Sequence, residues 1–335
     1  MTTTTASTTA RTVLFDEIGG PEVMRIHAVE IPAPGPGEVR IRVEALGLNR
    51  AETLLRAGTY YYQPTLPASR NGYEAAGTVE SVGEGVTAFA PGDTVLTAVT
   101  AELSAHGVYG ELVLLPQSAV LPRPAEVDAV TAAAVWVTYS TAYGALLPTA
   151  GLLPGQHVLI TGASSGVGTA ALQVVRRAGA VPIATTRTEA KRQQLLDLGA
   201  EHVIVSDRED VIKETRRLTD GRGADIVLDA IGGPGFQDLG EAVVPGGTLV
   251  IYGWLDGRPT TLPMNWPLSV HGYGNPMVTE TQEGRDRAAA YINSGLTDGT
   301  LRPVIAEVFE GLDRIGDAHR LMESNTHTGK IVVKV

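Results

Sequence analysis

The octapeptide Thr161-Gly-Ala-Ser-Ser-Gly-Val-Gly168 constrains this chain more than any other stretch. An apolar run, Val158-Leu-Ile160, precedes it, and Ala170-Ala-Leu-Gln-Val-Val175 follows with the spacing of a helix face. A buried strand, a glycine-rich turn and a helix in that order form a phosphate site. The first N–H groups of the helix point outward, and the glycines admit a pyrophosphate. The sequence therefore predicts dinucleotide contacts from Gly162, Ser164, Ser165, Gly166 and Val167. About half of the 335 residues come before this turn, so a different kind of unit precedes the nucleotide-binding one.

Length allows two domains. No run of 18 apolar residues occurs, which predicts no spanning helix. Met1–Ala10, rich in threonine and alanine, reads as a disordered tail and not as a signal peptide. A net charge of −11 disfavours nucleic acid as a partner, because phosphate backbones need a basic surface. Any polyanion must therefore meet a local basic patch. Cysteine is absent, so there is no disulfide, no thiolate zinc site and no cysteine nucleophile. That composition fits a cytoplasmic protein.

Residues 11–121 have β character. Val39-Arg-Ile-Arg-Val43 alternates like a half-buried strand, and Gly77–Gly83 and Asp93–Leu96 suggest further short strands between glycine and proline clusters. Together they predict a small barrel-like domain. Residues 122–270 alternate strands (158–161, 181–185, 203–205, 226–229, 248–252) with helices (189–198, 210–219), the pattern of a doubly wound parallel sheet. Residues 271–335, with helices near 285–293 and 312–322 and strands near 304–309 and 330–335, are expected to pack back onto the first domain and make it discontinuous.

The octapeptide alone resembles the short-chain dehydrogenases, but none of the ten tyrosines has a lysine four residues later, as that family's catalytic pair requires. The whole chain from Arg11 to Val335 instead resembles the medium-chain dehydrogenase/reductases, in their zinc-free quinone oxidoreductase and enoyl reductase branch. The resemblance rests on six ordered blocks: Leu48-Asn-Arg-Ala-Glu-Thr53 with Arg56-Ala-Gly-Thr-Tyr60, Gly72-Tyr-Glu-Ala-Ala-Gly77, Val82-Gly-Glu-Gly-Val86, Pro91-Gly-Asp93, Thr138-Tyr-Ser-Thr-Ala-Tyr143 and Ala163-Ser-Ser-Gly-Val-Gly168. It implies a GroES-like β-barrel domain (11–121 with 271–335) and a Rossmann domain (122–270). Where zinc-dependent members place a cysteine and a histidine of the metal site, Asn49 and Tyr73 stand here. Zinc needs thiolate, imidazole or carboxylate ligands in tetrahedral array. His106, His157 and His202 show no ligand spacing, so no metal is expected.

The second strand ends Thr185-Thr186-Arg187-Thr188, without the carboxylate that would bind NAD ribose hydroxyls. Arginine instead offers donors to a 2′-phosphate, and Lys191 lies one helical turn on. NADPH is the expected coenzyme, with Thr186, Arg187, Lys191 and, at a position where the family often has tyrosine, Ser206. Arg192 is expected to point elsewhere. Ile231, Gly232, Tyr252 and Gly253 end the fourth and fifth strands and should approach ribose and nicotinamide. The resemblance adds Thr138, Asn275 and Asn325.

The expected substrate is a small quinone, enone or enoyl compound. Tyr60 sits where medium-chain enoyl reductases carry a catalytic tyrosine; it either donates a proton to the reduced substrate or walls the pocket. Asn49 is expected to orient the coenzyme ribose or a substrate carbonyl, and Glu74 to act structurally. Trp136, Tyr139, Trp254 and Trp266 are scarce aromatics that either line an apolar pocket or pack in the core. An enoyl-thioester reductase and a non-catalytic nucleotide-binding protein are the competing readings. The resemblance further implies a homodimer through Thr248–Gly253 and Ser269–Tyr273.

Overall fold

A computed structural model describes residues 7–98 and 102–335. Two compact units emerge, one made of the residues up to Val137 together with Ile305–Val335, the other of Thr138–Val304.

The first unit opens with β1 (Thr8–Leu14), paired antiparallel with β2 (Arg25–Ile31). The expected tail at Met1–Ala10 is thus corrected at Thr8–Ala10, where threonine's branched Cβ suits a strand; Met1–Ala6 lie outside the described residues. β3 (Glu38–Gly47), β4 (Glu74–Val82), β5 (Thr94–Thr97), β6 (Leu112–Pro116) and β7 (Val120–Pro122) follow. Val39, Ile41 and Val43 turn to one face and join Val79, Val95, Val113, Leu115, Ile331 and Val333 in the main core. β3 is more buried than alternation alone predicts. Arg40 is 1% exposed, ion-paired to Glu80 and donating to the Pro32 carbonyl, whereas Arg42 faces solvent.

The second unit contributes β8 (His157–Ile160), β9 (Val181–Thr186), β10 (His202–Val205), β11 (Ala224–Asp229), β12 (Val243–Ile251) and β13 (Ser269–Gly272). They form one sheet in the order β10-β9-β8-β11-β12-β13, every pairing parallel. The order reverses between β8 and β11, the switch point at which open α/β sheets bind ligands beyond the strand ends. The chain then returns to the first sheet with β14 (Ile305–Glu310) and β15 (Lys330–Lys334), β15 running antiparallel to β3.

The unit boundaries differ from the expected 121/122 and 270/271. Residues up to Val137 stay in the first unit because Ala132, Ala133 and Ala134 pack with Ala45, Ala76 and Val332. Residues 271–304 stay in the second because β13 extends its sheet and Arg177 binds Ser294 and Asp298. The helix expected at 285–293 runs Gln282–Thr297, capped by the Thr281 hydroxyl at the Gly284 N–H. The stretch expected as a helix at 189–198 is a 3₁₀ turn, Glu189–Lys191, followed by Arg192–Asp197. Thr248–Ile251, expected at an interface, is interior to the sheet; β13 is its edge. The helical stretch Ala129–Thr149 is long and apolar enough to cross a membrane despite lacking an unbroken apolar run, and most of it is buried as a core helix would be.

Gly47 shows how closely the short helix Ala129–Ala132 sits on the first sheet, since a Cβ there would lie 1.8 Å from the Ala133 carbonyl oxygen. Gly47→Ala must push that backbone away. Overpacking of this kind costs about 1–3 kcal/mol, so the urea midpoint should fall; an unchanged midpoint would show that the helix moves freely.

Candidate functional site

Helix Gly166–Arg177 begins at Ser165, whose Oγ accepts the Gly168 N–H at 3.0 Å. Helical geometry leaves the Gly166 and Val167 N–H groups without intrahelical acceptors. Gly168 must be glycine, because a Cβ would lie 2.5 Å from the Gly162 carbonyl oxygen, and Gly162 itself has φ +57°. Lys191 Nζ donates to Ser164 Oγ at 3.1 Å. Burial, and then the neighbouring Arg187 charge, hold the Lys191 ammonium below its usual range. Arg187 is exposed at the end of β9. The nearest carboxylate in sequence, Glu189, is turned away onto Arg192 (2.7 Å) and Arg208 (3.8 Å). Arg192 also reaches Glu209 and the Val203 carbonyl, so it points away from Arg187 and Lys191 as expected. Ser206 donates its N–H to the Thr186 carbonyl.

Across the switch point, Asp229 organises the loop that follows β11. Its carboxylate accepts Thr161 Oγ1–H at 2.5 Å and the N–H groups of Ile231 (3.2 Å) and Gly232 (2.7 Å); Thr161 Oγ1 accepts the Ala230 N–H. Sequence reasoning missed this clasp, although a carboxylate ending the apolar run Ile226-Val-Leu-Asp229 signalled it. Gly232 and Gly233 have φ +66° and +65°, and a Cβ on Gly253 would lie 3.1 Å from the Ala230 carbonyl. Asn275 Oδ1 is buried without a hydrogen-bond partner in the protein, while its Nδ2 donates to Ser140 Oγ at 3.0 Å, and the Tyr252 hydroxyl is buried beside Ser165 and Asp229. Buried polar atoms are normally satisfied. An unsatisfied amide oxygen in the unit that carries the glycine-rich phosphate loop fits a dinucleotide.

The first unit carries a different chemistry. Asn49 precedes helix Arg50–Arg56 and its N–H donates to Glu52. Its side-chain amide is nearly saturated, with Nδ2 donating to the Gly47 carbonyl (3.2 Å) and Glu52 (3.0 Å), and Oδ1 accepting from Lys330 Nζ (2.6 Å). Both amide protons are therefore spent. That corrects one expectation: Asn49 can receive a hydroxyl, such as that of a ribose, but cannot donate to a carbonyl. Lys330, 3% exposed, also donates to the buried Glu74 at 2.6 Å, and Glu74 accepts the Val137 N–H.

Tyr60, Tyr61 and Tyr62 pack together with tilted and T-shaped rings, their centroids 4.4–5.0 Å apart. Tyr73 Oη donates to Tyr60 Oη at 3.3 Å and lies 3.2 Å from Tyr62 Oη. Burial raises the Tyr60 phenol above its usual range, so it stays protonated. Beneath, Glu52 accepts from the Tyr73 N–H and the Tyr109 hydroxyl, and Tyr109 in turn meets His319 Nε2 at 3.1 Å. Because Tyr109 spends its proton on Glu52, His319 must donate from Nε2. Sequence reasoning passed Glu52 only as part of the block Leu48–Thr53 and missed Tyr109 and His319, which nothing local in the sequence distinguishes.

The remaining expected residues disperse. Tyr139, 1% exposed, gives its hydroxyl to Gln173, and Trp136 is equally buried; both are core residues, not pocket walls. Trp254 and Trp266 are exposed on the second unit. Thr138 is buried in helix Trp136–Gly144. Asn325 ends helix Ile315–Ser324 in a left-handed conformation and accepts from Arg50.

Comparisons with known proteins agree with this arrangement. Residues 35–125 match the alcohol dehydrogenase GroES-like domain family and residues 166–275 the zinc-binding dehydrogenase family. A quinone oxidoreductase of Lama guanicoe is 34% identical over 96% of this chain and 97% of its own. The structure of an Escherichia coli quinone oxidoreductase complexed with NADPH superposes with TM-score 0.90 at 27% identity, covering 97% of this chain and 100% of that one. The CurK enoyl reductase superposes with TM-score 0.82 at 26% identity, covering 97% and 99%.

His319 generates a pH prediction. Burial, then the nearby arginines, lower its pKa from 6.5 to about 3. Below pH 6.5 the unfolded chain therefore binds a proton that the folded ring refuses, and stability falls as pH drops through that window. The slope from this group approaches ~1.4 kcal/mol per pH unit. His319→Gln removes it, so the stability deficit of the variant at pH 7 should shrink at pH 5 in urea denaturation. A deficit constant with pH would refute the buried neutral ring.

Proposed function

We propose that this chain, which belongs to the quinone oxidoreductase branch of the medium-chain dehydrogenase/reductase superfamily, reduces quinones or α,β-unsaturated carbonyls with NADPH and without zinc. The observation that carries the reading is the pair of cations at the end of β9, with Lys191 on Ser164 and Arg187 beside it, while Glu189 is drawn off to other arginines. A 2′-phosphate matches that charge, and a carboxylate there would repel it. The NADPH complex of the Escherichia coli relative supports the same coenzyme.

In this reading the Gly166 and Val167 N–H groups take the pyrophosphate, with Gly162, Ser164 and Ser165 shaping its bed. Thr186, Ser206, Arg187 and Lys191 surround the adenosine ribose and its phosphate. Ile231, Gly232, Tyr252, Gly253 and Asn275 receive the nicotinamide half, Asn49 accepts from a ribose hydroxyl, and Thr138 and Asn325 complete the set. The reduced nicotinamide supplies a hydride. Tyr60, kept as a neutral phenol by burial, hydrogen-bonds to the oxygen on which negative charge accumulates and yields the proton that completes reduction. Zinc has no place in this chemistry because an amide and a phenol, Asn49 and Tyr73, stand at the ligand positions and both are engaged elsewhere. We read the protein as cytoplasmic and as a homodimer joined along β13, the edge strand of its sheet among the described residues.

The likeness to the CurK enoyl reductase supports a second reading, reduction of an enoyl thioester. Purified protein with NADPH, offered 1,2-naphthoquinone, a 2-alkenal, a 2-enoyl thioester and a simple ketone, separates the two. Turnover of the quinone or alkenal supports the first reading and turnover of the thioester alone the second; oxidation of NADPH only with the ketone would overturn both. Activity should survive 1,10-phenanthroline.

Arg187→Ala should weaken NADPH binding by about 1.5–3 kcal/mol, the worth of a hydrogen bond to a charged group, and leave NADH binding unchanged by calorimetry. Equal loss for both coenzymes would remove the 2′-phosphate assignment. Tyr60→Phe should lower kcat on the alkenal by ~10²-fold or more; an unchanged kcat would reduce Tyr60 to a wall.

A further inference from the structure

Three phenols, those of Tyr62, Tyr73 and Tyr60, form a chain with a direction. Tyr73, 6% exposed, is held in place from beneath, its N–H donating to Glu52 at 2.9 Å. Each phenol has one proton to donate. Tyr73 gives its proton to Tyr60, so at the other contact Tyr62 must be the donor and Tyr73 the acceptor. Tyr60 accepts from Tyr73 and so does not spend its own proton on that contact. Tyr62 is half-buried and ends the chain on the side of Tyr73 away from Tyr60. The two oxygen separations, 3.3 and 3.2 Å, exceed the roughly 2.7–2.8 Å of a strong O–H···O bond; catalytic contacts are often long before substrate binds.

We propose that Tyr73 and Tyr62 are positioning residues of a proton relay that recharges Tyr60 from solvent after each turnover. The inference rests on the assignment of Tyr60 as proton donor. As the hydride reduces the substrate and the coenzyme is oxidised, the Tyr60 O–H bond breaks and its proton joins the substrate. The Tyr60 oxygen takes the proton of Tyr73, Tyr73 takes that of Tyr62, and Tyr62 takes one from water. The net consumption is one hydride and one water-derived proton. Hydrogen bonds in such a chain polarise one another, so the accepted bond from Tyr73 also makes Tyr60 a better acid. Tyr73 stands where zinc-dependent relatives carry a metal ligand, and the relay gives that position a different task.

The test compares the full-length protein with Tyr60→Phe, Tyr73→Phe and Tyr62→Phe on a 2-alkenal with NADPH, measuring kcat and its dependence on the D₂O fraction. The relay predicts that Tyr73→Phe lowers kcat roughly tenfold, less than the ~10²-fold or more of losing the donor itself. Its proton inventory should change from bowed, with several protons in flight, to linear, while NADPH affinity and melting temperature stay at parent values. Tyr73→Phe should add nothing in the Tyr60→Phe background. If Tyr73→Phe does not fold, Tyr62→Phe must linearise the inventory on its own. Parent kcat and a parent inventory in both outer variants, with Tyr60→Phe impaired, would overturn the relay and leave the proposed function standing. An unimpaired Tyr60→Phe would overturn both the relay and the donor assignment.

Discussion

The ammonium of Lys330 is the point on which the first unit turns. It is buried against the Glu74 carboxylate and the Asn49 amide, so one cation joins segments that lie far apart in the chain. Buried charges are costly to desolvate, and a single one left unpaired costs far more than the pair. The contact therefore acts as a specifier: slipping β15 along β3 by one pleat would drag the ammonium off its carboxylate. The same contact fixes the side-chain amide of Asn49. Fold register and site geometry are set by one interaction.

In the second unit the corresponding role falls to Asp229. The sheet order reverses between β8 and β11, and the Thr161–Asp229 bond spans that reversal. Three further N–H groups, of Ala230, Ile231 and Gly232, are organised by the same two side chains. Loops that leave two neighbouring strands are thus tied to each other before any ligand arrives. Preorganised donors lose little on binding, which suits a phosphate bed made of backbone and small side chains.

Periodicity carried most of the architecture. Val39, Ile41 and Val43, the apolar runs ending at Ile160 and Asp229, and the glycines of the phosphate loop are legible because strand alternation and steric necessity act over a few residues. The boundary at 304/305 was not, because Ser269–Gly272 joins its sheet through backbone bonds with scarcely any buried side chain to betray it. Polar residues misled for the opposite reason. Arg40, Glu52, Asp229, His319 and Lys330 are buried, yet burial of a charge depends on partners distant in sequence. Aromatic scarcity pointed to Tyr139 as a pocket residue, but Gln173, one helix away, offered its hydroxyl a partner in the core. Tyr60 was singled out by its surrounding motif; its hydrogen bond with Tyr73 was not, because the two lie 13 residues apart.

The interrupted first sheet also has a consequence for how the protein is made. Synthesis runs from the N-terminus, and domains tend to fold as they emerge. β3 is finished early, but its neighbour β15 arrives only after the whole of Thr138–Val304 has been translated. Until then the Ala45–Gly47 end of β3 lacks the partner that completes its ladder, and Glu74 lacks its counter-ion. The parallel sheet, contiguous in the chain, can assemble without waiting. The domain encoded first is therefore the one completed last, and its edge stays open for as long as the ribosome takes to reach Lys330.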